Sequence, residues 1–286
     1  MKKLGLALGG GGLKGLAHIG VLQVLYENRI PIAEISGTSA GSIIASLHAC
    51  GMSPYEMEKI ALNLKPSDYI DYNLCGLIKY IYSLYVPGVK VPLDGLIKGN
   101  KLERLMSKLT KGKTLADINM PLSIVACDID TGREIIFSNQ TLSLNDSQLL
   151  IQEAELSQAI RASTSIPVTF VPYNFNDMQL VDGGIKEIVP VQVQCLMGAE
   201  YILAINLGQE LYDEPVQGIP QIINRTLSIL IFETSKEIQE ILADMIVFPG
   251  ITGVDLTDVD KAAEIIRYGR RAMKQNIEKL KEALGS

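Results

Sequence analysis

The segment 35–42 constrains the fold of this 286-residue chain more than any other stretch. Its sequence, Ile-Ser-Gly-Thr-Ser-Ala-Gly-Ser, places the pattern Gly-x-Ser-x-Gly between an apolar run and a helix-like run. This order predicts a nucleophile elbow, the sharp turn between a strand and a helix that presents a serine hydroxyl. Gly37 and Gly41 would let the strand and the helix approach closely, and Ser39 would lie at the positive end of the helix dipole. Ser39 is therefore the predicted nucleophile.

The rest of the chain alternates between strand and helix signals. The elbow helix is preceded by a strand, a glycine-rich loop, a helix and a second strand, over 3–8, 9–12, 16–28 and 32–35. This order predicts a parallel sheet. Later strands are predicted over 122–127, 133–137, 180–181 and 201–206. Further helices are predicted from residue 53 and over 100–109, 145–161, 219–243 and 258–284.

These signals predict an α/β fold in which one domain covers residues 4–208 and a helical C-terminal extension, 209–286, packs on it. The net charge of −6, the 47% of hydrophobic residues and the mean hydropathy of +0.21 argue against disorder and against a nucleic-acid partner. The four cysteines are far apart, so neither a zinc site nor a disulfide framework is predicted. No run approaches a membrane span without a charge or a breaker. We expect a soluble cytoplasmic protein.

A serine nucleophile needs a base, and the chain has only two histidines. His48 lies nine residues after Ser39 on the predicted elbow helix, about 13 Å away by helical rise. His18 lies midway along the first predicted helix, away from the loop that would face a substrate. Neither is expected to reach the hydroxyl, which argues against a Ser-His-Asp triad.

A carboxylate is the alternative base. Asp182 ends an apolar strand and precedes two glycines, which would hold it at the carboxyl edge of the sheet, where ligands bind in open α/β folds. Asp128 and Asp130 compete with it, but the Thr-Gly that follows them favours a turn. Asp182 is therefore the preferred base, provided that a dry site raises its pKa.

The oxyanion of a tetrahedral intermediate needs N–H donors, and the loop Gly10-Gly11-Gly12 offers them at a helix N-terminus. With Gly15 the loop also matches a dinucleotide-binding pattern. That kind of site requires an acidic residue at the end of the second strand, where this chain has Ser36 and the elbow. The loop is therefore interpreted as an oxyanion cradle.

Two regions carry open interpretations. Residues 66–98 hold five of the eleven tyrosines, at positions 69, 72, 80, 82 and 85. They form either an ordinary packed insert or a lid or wall of an acyl-chain site, because tyrosine suits surfaces that are part apolar and part wet.

The last predicted helix has an apolar stripe and a basic opposite face. A helix docked on the core with a solvated basic face is preferred over a membrane-surface helix.

In this order the motifs resemble those of bacterial patatin-like phospholipases. The segment 10–15, Gly-Gly-Gly-Leu-Lys-Gly, is similar to the family's oxyanion loop, 37–41 to its elbow, and Asp182-Gly183-Gly184 to its catalytic aspartate motif. The stretches 127–132 and 159–167 resemble two further family segments. The resemblance covers roughly 4–208. The chain departs from it at Glu187 and Ile188, near which relatives often have asparagine.

The resemblance implies a three-layer α/β/α fold with a mostly parallel central sheet, and hydrolysis of lipid acyl esters by a Ser39–Asp182 dyad. Asp182 would accept the Ser39 proton, the N–H groups of Gly11 and Gly12 would hold the oxyanion, and Gly10 would shape the loop. Water would then release the fatty acid from an acyl-enzyme. The expected substrate is a phospholipid or lysophospholipid, met in transient contact with the inner membrane surface, and no metal or other cofactor is expected.

Two alternative functions stay open at this stage. Similar sites support transfer of the acyl group to an acceptor other than water. A non-catalytic lipid-binding or adaptor protein could also keep the fold, although the intact serine, aspartate and glycine loop argue against it. The oligomeric state is not predicted.

Overall fold

A mixed sheet forms the centre of the computed structural model, which describes residues 2–86, 91–208, 212 and 215–285. Within these residues the sheet has nine strands: β1 Leu4–Leu8, β2 Glu34–Thr38, β3 Leu122–Asp128, β4 Glu134–Ser138, β5 Gln148–Ile151, β6 Tyr173–Phe175, β7 Met178–Asp182, β8 Tyr201–Ile205 and β9 Met245–Val247. Seven follow the order β5-β4-β3-β2-β1-β8-β9. The run from β3 to β9 is parallel, whereas β3 pairs antiparallel with β4 and β7.

The helices of the described residues lie between and after these strands. They are α1 Ala17–Glu27, α2 Ala40–Ala49, α3 Pro54–Ala61, α4 Pro66–Tyr69, α5 Leu74–Tyr85, α6 Asn100–Leu109, α7 Leu156–Ser163, α8 Gly184–Glu187, α9 Val191–Met197, α10 Ile219–Leu242 and α11 Ala262–Leu284. A short 3-10 turn, Gly12–Leu16, leads into α1. The predicted capping box at the start of α3 is present, since Ser53 and Glu56 exchange hydrogen bonds.

The sheet separates two apolar layers because alternate residues of a strand point to opposite faces. On β1, Leu4, Leu6 and Leu8 belong to the main core, which includes residues of α1, α2 and α11. Ala7 belongs to a second cluster with residues of α9 and the end of α10. Helices therefore cover both faces, and the predicted three-layer α/β/α fold is confirmed. Burial on both faces also explains why β1 and β2 are buried along their whole length.

The helix predicted over 145–161 is wrong in its first half. Asn145 accepts hydrogen bonds from the N–H and the hydroxyl of Ser147 and closes a turn instead of capping a helix. The apolar run Gln148–Ile151 then pairs in parallel with β4 as strand β5, and α7 begins only at Leu156. Pairing with β4 decides the conformation here, although the local sequence favours a helix cap. Such pairing cannot be read from sequence periodicity. The sequence also did not predict strands β6 and β9 or helices α4, α5, α8 and α9.

The C-terminal helix α11 packs against α1. Its predicted apolar stripe is buried, at Ile266, Met273, Ile277, Leu280 and Leu284. A Cβ atom on Gly269 would collide with the carbonyl of Ala17, so glycine is what lets α11 and α1 approach each other closely at this point. The next residue, Arg270, forms an ion pair with Glu27 of α1 at 2.8 Å. These contacts agree with a helix docked on the core. The boundary at residue 208 stays a prediction, and positions 209–211, 213–214 and 286 of the extension lie outside the described residues.

The tyrosine-rich segment 66–98 contains α4 and α5, and its residues 87–90 lie outside the described part of the chain. Tyr69 is buried and donates a hydrogen bond to the carbonyl of Leu256. In contrast, α5 has no buried side chain among those described. Across the described ranges, every helix is too short or too polar to cross a bilayer.

Candidate active site

Ser39 lies at the turn between β2 and α2 in a backbone conformation that serine rarely adopts. Its φ is 53° and its ψ is −125°, values that cost about 1–3 kcal/mol for a residue with a side chain. A Cβ at Gly37 would lie 2.5 Å from the carbonyl group of Gly41, and one at Gly41 would collide with the carbonyl of Leu8. The strand and helix therefore approach as closely as a nucleophile elbow requires.

Asp182 reaches Ser39 because two strands share one edge of β3. β2 pairs with the first part of β3 and ends at Thr38, opposite Val125. β7 continues along the same edge, with Asp182 opposite Ala126, the next residue of β3. A Cβ at Gly183 would collide with the carbonyl of Val125, so glycine allows the chain to leave the sheet there. The nucleophile turn and the end of β7 are thus brought together.

The Asp182 carboxylate accepts a hydrogen bond from the Gly184 N–H at 2.8 Å. Both Asp182 and Ser39 have buried side chains. Burial raises the pKa of the Asp182 carboxyl from 3.8 to about 6, and the nearby Ser39 hydroxyl and the Gly184 N–H oppose part of this rise. The carboxylate is therefore ionised at neutral pH and is still a much stronger base than an exposed aspartate.

Ser163, at the end of α7, holds the nucleophile turn and was missed as a site residue. Its hydroxyl donates a hydrogen bond to the carbonyl of Val125 at 2.6 Å and accepts one from the N–H of Ser39 at 2.8 Å. One buried side chain therefore bridges β3 and the nucleophile backbone. The sequence contained a signal, because Ser163 lies in the segment 159–167 that resembles a family stretch.

The glycine loop lies against the nucleophile. The N–H of Gly10 donates to the carbonyl of Ile188 at 2.9 Å and is therefore occupied, whereas the N–H of Gly11 has no acceptor among the described residues. A Cβ on Gly10 would lie 3.0 Å from the Cβ of Ser39. Gly12 has a φ of 57° and begins the 3-10 turn, and Gly15 packs against Ala40. Gly10 is thus the glycine that lies against Ser39, and Gly12 lines the same cavity as Ser39.

The chain after Asp182 joins all three motifs through its backbone. The Glu187 carbonyl accepts a hydrogen bond from the Thr38 hydroxyl at 2.7 Å, and the Ile188 carbonyl accepts the one from Gly10. A Cβ on Gly184 would lie 2.7 Å from the Ile188 side chain. The positions where the chain departs from its relatives therefore act here through main-chain carbonyls, which every residue type provides.

Neither histidine contacts Ser39, as predicted, but His18 has a structural role that the sequence did not indicate. Its ring is fully buried, and Nε2 donates a hydrogen bond to the Gly9 carbonyl at 2.8 Å. Burial lowers the pKa of His18 to about 4, so the ring is neutral at pH 7. His18 therefore fixes the residue from which the glycine loop departs. His48 lies in the last turn of α2.

A buried arginine organises the far side of the site. Arg161 donates hydrogen bonds to the Ser165 hydroxyl at 2.5 Å and to the carbonyls of Lys98 and Val171 at 2.7 Å. Its guanidinium lies 5.6 Å from the ring centre of Phe170. Since the Ser165 carbonyl accepts the N–H of Asp182, Arg161 connects the loop around Phe170 to the strand that carries the carboxylate.

An apolar cavity of about 140 Å³ opens beside Ser39. Its walls come mainly from α1, α2, α3 and α6 and the residues before α1, with side chains that include Leu13, Leu16, Ile19, Ile43, Ile44, Leu47, Met57, Ile60, Ala61, Leu102, Leu105 and Met106. Tyr69, Phe170 and Leu256 also line it. Tyr69 is therefore the one tyrosine of the segment 66–98 that forms a wall, as far as the described residues show. The cavity suits an extended apolar group attached to a polar reacting centre.

The competing residues Asp128 and Asp130 belong to one turn. The Asp128 carboxylate accepts hydrogen bonds from the Asp130 N–H and from the Thr131 hydroxyl, at 3.3 and 2.5 Å. This is the predicted turn.

Within the described ranges, no group of three or more His, Cys, Asp or Glu side chains could hold a metal ion.

We expect Ser163→Ala to slow the reaction of Ser39 with a fluorophosphonate probe by about tenfold to a hundredfold, because the nucleophile backbone loses its anchor. The buried N–H of Ser39 would also lose its acceptor, lowering the free energy of unfolding by about 1–3 kcal/mol. Ser157→Ala is the matched control, since its hydroxyl is also buried on α7 but binds Glu155. Equal labelling rates in the two variants would contradict the assigned role.

This chain matches only part of the length of the relatives to which its sequence is similar. An uncharacterized NTE family protein of Mycobacterium tuberculosis is 28% identical over 207 residues, which are 72% of this chain and 30% of the relative. Lysophospholipase NTE1 of Scheffersomyces stipitis is 28% identical over 206 residues, 72% of this chain and 12% of the relative. The chain thus spans less than a third of either relative.

Two solved structures share the fold. VipD from Legionella pneumophila superposes with a TM-score of 0.52 at 16% identity, covering 97% of this chain and 67% of that chain. The type III effector protein ExoU superposes with a TM-score of 0.50 at 16% identity, covering 97% and 53%. A sequence model described as Patatin-like phospholipase matches residues 6–193. Because this match takes in more than half of the chain and includes the elbow, the glycine loop and Asp182, the protein belongs to the patatin-like phospholipase family.

Proposed function

We propose that the protein is a serine acyl hydrolase that cleaves carboxylic ester bonds of lipids, with Ser39 as nucleophile and Asp182 as base. The observation that carries the proposal is a Ser39 hydroxyl close enough to a buried carboxylate to lower its pKa, beside an apolar cavity. Family membership supports a lipid substrate, and one relative is named a lysophospholipase. We propose a phospholipid or lysophospholipid as substrate.

In the first step Asp182 takes the proton of the Ser39 hydroxyl while Oγ attacks the ester carbonyl. The carboxylate suits this role because it lies near the Ser39 hydroxyl, and its pKa of about 6 lies near the working pH of a general base. The strained turn holds Oγ at the N-terminus of α2, whose dipole favours the developing negative charge. No histidine takes part.

The tetrahedral oxyanion is held by the N–H groups of Gly11 and Gly12, while Gly10 shapes the loop. This division is supported by the occupied amide of Gly10 and the amide of Gly11, which has no acceptor among the described residues. Fixed N–H donors that need no reorganisation are the kind of group that stabilises such an oxyanion. The donors stay in place because His18 and Ile188 hold both sides of the loop start.

Collapse of the intermediate transfers the proton from Asp182 to the leaving alcohol and leaves an acyl-Ser39 ester. Asp182 is then ionised again and accepts a proton from water, which attacks the acyl carbon. When this second intermediate collapses, the bond to Ser39 Oγ breaks, Asp182 returns the proton to Oγ, and the fatty acid leaves. The acyl chain lies in the apolar cavity during both steps, because this cavity is lined by aliphatic side chains and lies next to Ser39. Neither step uses a metal or cofactor.

We expect the fluorophosphonate probe to label the natural protein and not Ser39→Ala, and Asp182→Asn to lower p-nitrophenyl ester hydrolysis by about a hundredfold or more. Asp128→Asn is the matched control, because Asp128 is also a buried acid at the end of a strand but binds only its own turn. Equal activity of Asp182→Asn and the natural protein would refute Asp182 as base.

The pH dependence should follow Asp182. Its pKa of about 6 predicts that kcat/KM falls with a midpoint near pH 6 on acidification, since the protonated carboxyl cannot accept the Ser39 proton. Glu187 is a second buried acid whose pKa burial raises, and Glu187→Gln should leave the midpoint unchanged. A midpoint that moves in Glu187→Gln would contradict the assignment of this titration to Asp182.

The same titration should appear in stability. Because folding raises the pKa of Asp182 above its ordinary 3.8, its contribution to stability is present below that pH and is lost as the pH rises through about 6. Asp182→Asn stays uncharged, so above pH 6 it should unfold with a higher free energy, by up to about 3 kcal/mol. Urea unfolding of both proteins at pH 4 and pH 8 measures this difference.

Filling the cavity should shorten the accepted acyl chain. Ala61 is buried on α3 and lines the cavity, so Ala61→Phe is expected to lower kcat/KM for p-nitrophenyl octanoate by about tenfold or more relative to the acetate. Lys59→Phe, on the exposed face of the same helix, should leave this ratio unchanged. An unaltered ratio in Ala61→Phe would show that the acyl chain lies elsewhere.

A further inference from the structure

Helix α5 presents apolar side chains to solvent along its whole length. None of its described side chains is buried, and the large apolar ones that are exposed are Leu74, Leu77, Ile78, Ile81, Tyr82 and Tyr85. A helix of 12 residues is marginally stable in water without a packed face. The helix therefore lacks the apolar contact that normally stabilises such a sequence, and an exposed surface of this kind marks an interaction site.

The first half of α10 has the same character. Its exposed large apolar residues are Ile219, Ile222, Ile223, Ile229 and Leu230. Among the described side chains of this helix only Phe232 and Gln239 are buried. We call the exposed apolar residues of α5 and of 219–230 the rim surface, because both segments are attached at the rim of the cavity.

The attachment point is the loop around Thr169. The α10 residue Asn224 donates a side-chain hydrogen bond to the Thr169 hydroxyl at 3.1 Å. The N-cap residue of α5, Asn73, donates its N–H to the carbonyl of Leu96, whose own N–H binds the Thr169 carbonyl at 3.1 Å. The next residue, Phe170, lines the cavity beside Ser39. Both apolar helices are therefore tied to the loop whose residue Phe170 lines the cavity.

Charge also distinguishes the rim surface from the rest of the protein. The chain carries a net charge of −6, but residues 72–86 and 215–232 contain no aspartate or glutamate. Their charged residues, Lys79 and Arg225, are both basic. An apolar surface with basic and tyrosine side chains matches the interface of a bilayer, where aromatic rings and cations are favoured and acidic residues are not.

We propose that the rim surface docks the protein on a lipid–water interface, so that an acyl chain passes from the lipid into the cavity without crossing water. This inference rests on the proposed function, because it supplies the route of the same substrate. A lipid surface explains the lack of acidic residues and the continuity with the cavity together. A self-interface would explain the apolar residues but not their attachment at the cavity rim.

The chain contains no tryptophan, so one introduced indole reports its own surroundings. Ile78→Trp and Leu230→Trp probe the rim surface at side chains that are 67% and 55% exposed. Ile241→Trp is the matched control: Ile241 is 71% exposed on the same helix α10. Ile241 lies near the end of the sheet where the parallel strands begin, since the nearby Asp244 N–H binds the Ile202 carbonyl at the start of β8. Ser39 follows the other end of these strands, where β2 ends.

All three tryptophans are introduced together with Ser39→Ala, so that binding is measured without turnover. With vesicles of equal parts phosphatidylcholine and phosphatidylglycerol, the emission of Ile78→Trp and Leu230→Trp should shift to the blue, and that of Ile241→Trp should not. Unchanged emission of both rim tryptophans would overturn the proposal even if the enzyme hydrolyses esters. A blue shift before vesicles are added, lost on dilution, would overturn it in favour of self-association.

A second variant separates docking from chemistry. The double change Ile78→Glu and Leu230→Glu should weaken vesicle binding by about tenfold or more, because each apolar side chain withdrawn from water contributes about one order of magnitude. Hydrolysis of vesicle phospholipid should fall in parallel, whereas hydrolysis of dissolved p-nitrophenyl butyrate should match that of the natural protein. Equal loss on both substrates, or on neither, would contradict docking through the rim surface. Absence of any Ser39-dependent hydrolysis would contradict the proposed function alone.

Discussion

The strained backbone of Ser39 is the constraint on which the site depends. A serine at a φ of 53° persists only where its surroundings hold it. Here the Ser163 hydroxyl binds the Ser39 N–H, and the Ser42 hydroxyl binds the Ser39 carbonyl at 2.6 Å. Gly37 and Gly41 leave room for the turn. The sheet, α2 and α7 therefore all help to hold the backbone of Ser39 in this conformation, at the wall of the cavity.

Burial of Asp182 links stability to the proposed chemistry. The carboxylate lies where two strands share one edge of β3, buried and bound by the Gly184 N–H. The desolvation that makes it a better base also makes its charge costly to the fold. A site of this kind needs strong support around it. That support is provided by the main-chain carbonyls of Glu187 and Ile188 and by the buried Arg161.

The sequence predicts the parts of this protein that depend on local chemistry. The elbow, the glycine loop and the end of β7 have glycine patterns that only a close backbone approach explains, so Ser39, Asp182 and their motifs could be named and the fold predicted. The anchors could not be found in this way. Ser163, His18 and Arg161 contact residues from 9 to 124 positions away, and their residue types are ordinary. Strand β5 was missed because its pairing with β4, and not its own pattern, decides its conformation.

The absence of histidine from Ser39 has a consequence for charge balance during the reaction. In a Ser-His-Asp triad, the attack creates an imidazolium and an oxyanion, so opposite charges are separated and must be solvated. In the proposed dyad the proton neutralises Asp182 as the oxyanion forms, and one negative charge simply relocates from carboxylate to substrate. Its net value is the same before and after the attack. Such a relocation suits a site walled by aliphatic side chains, where a new ion pair would be expensive to create.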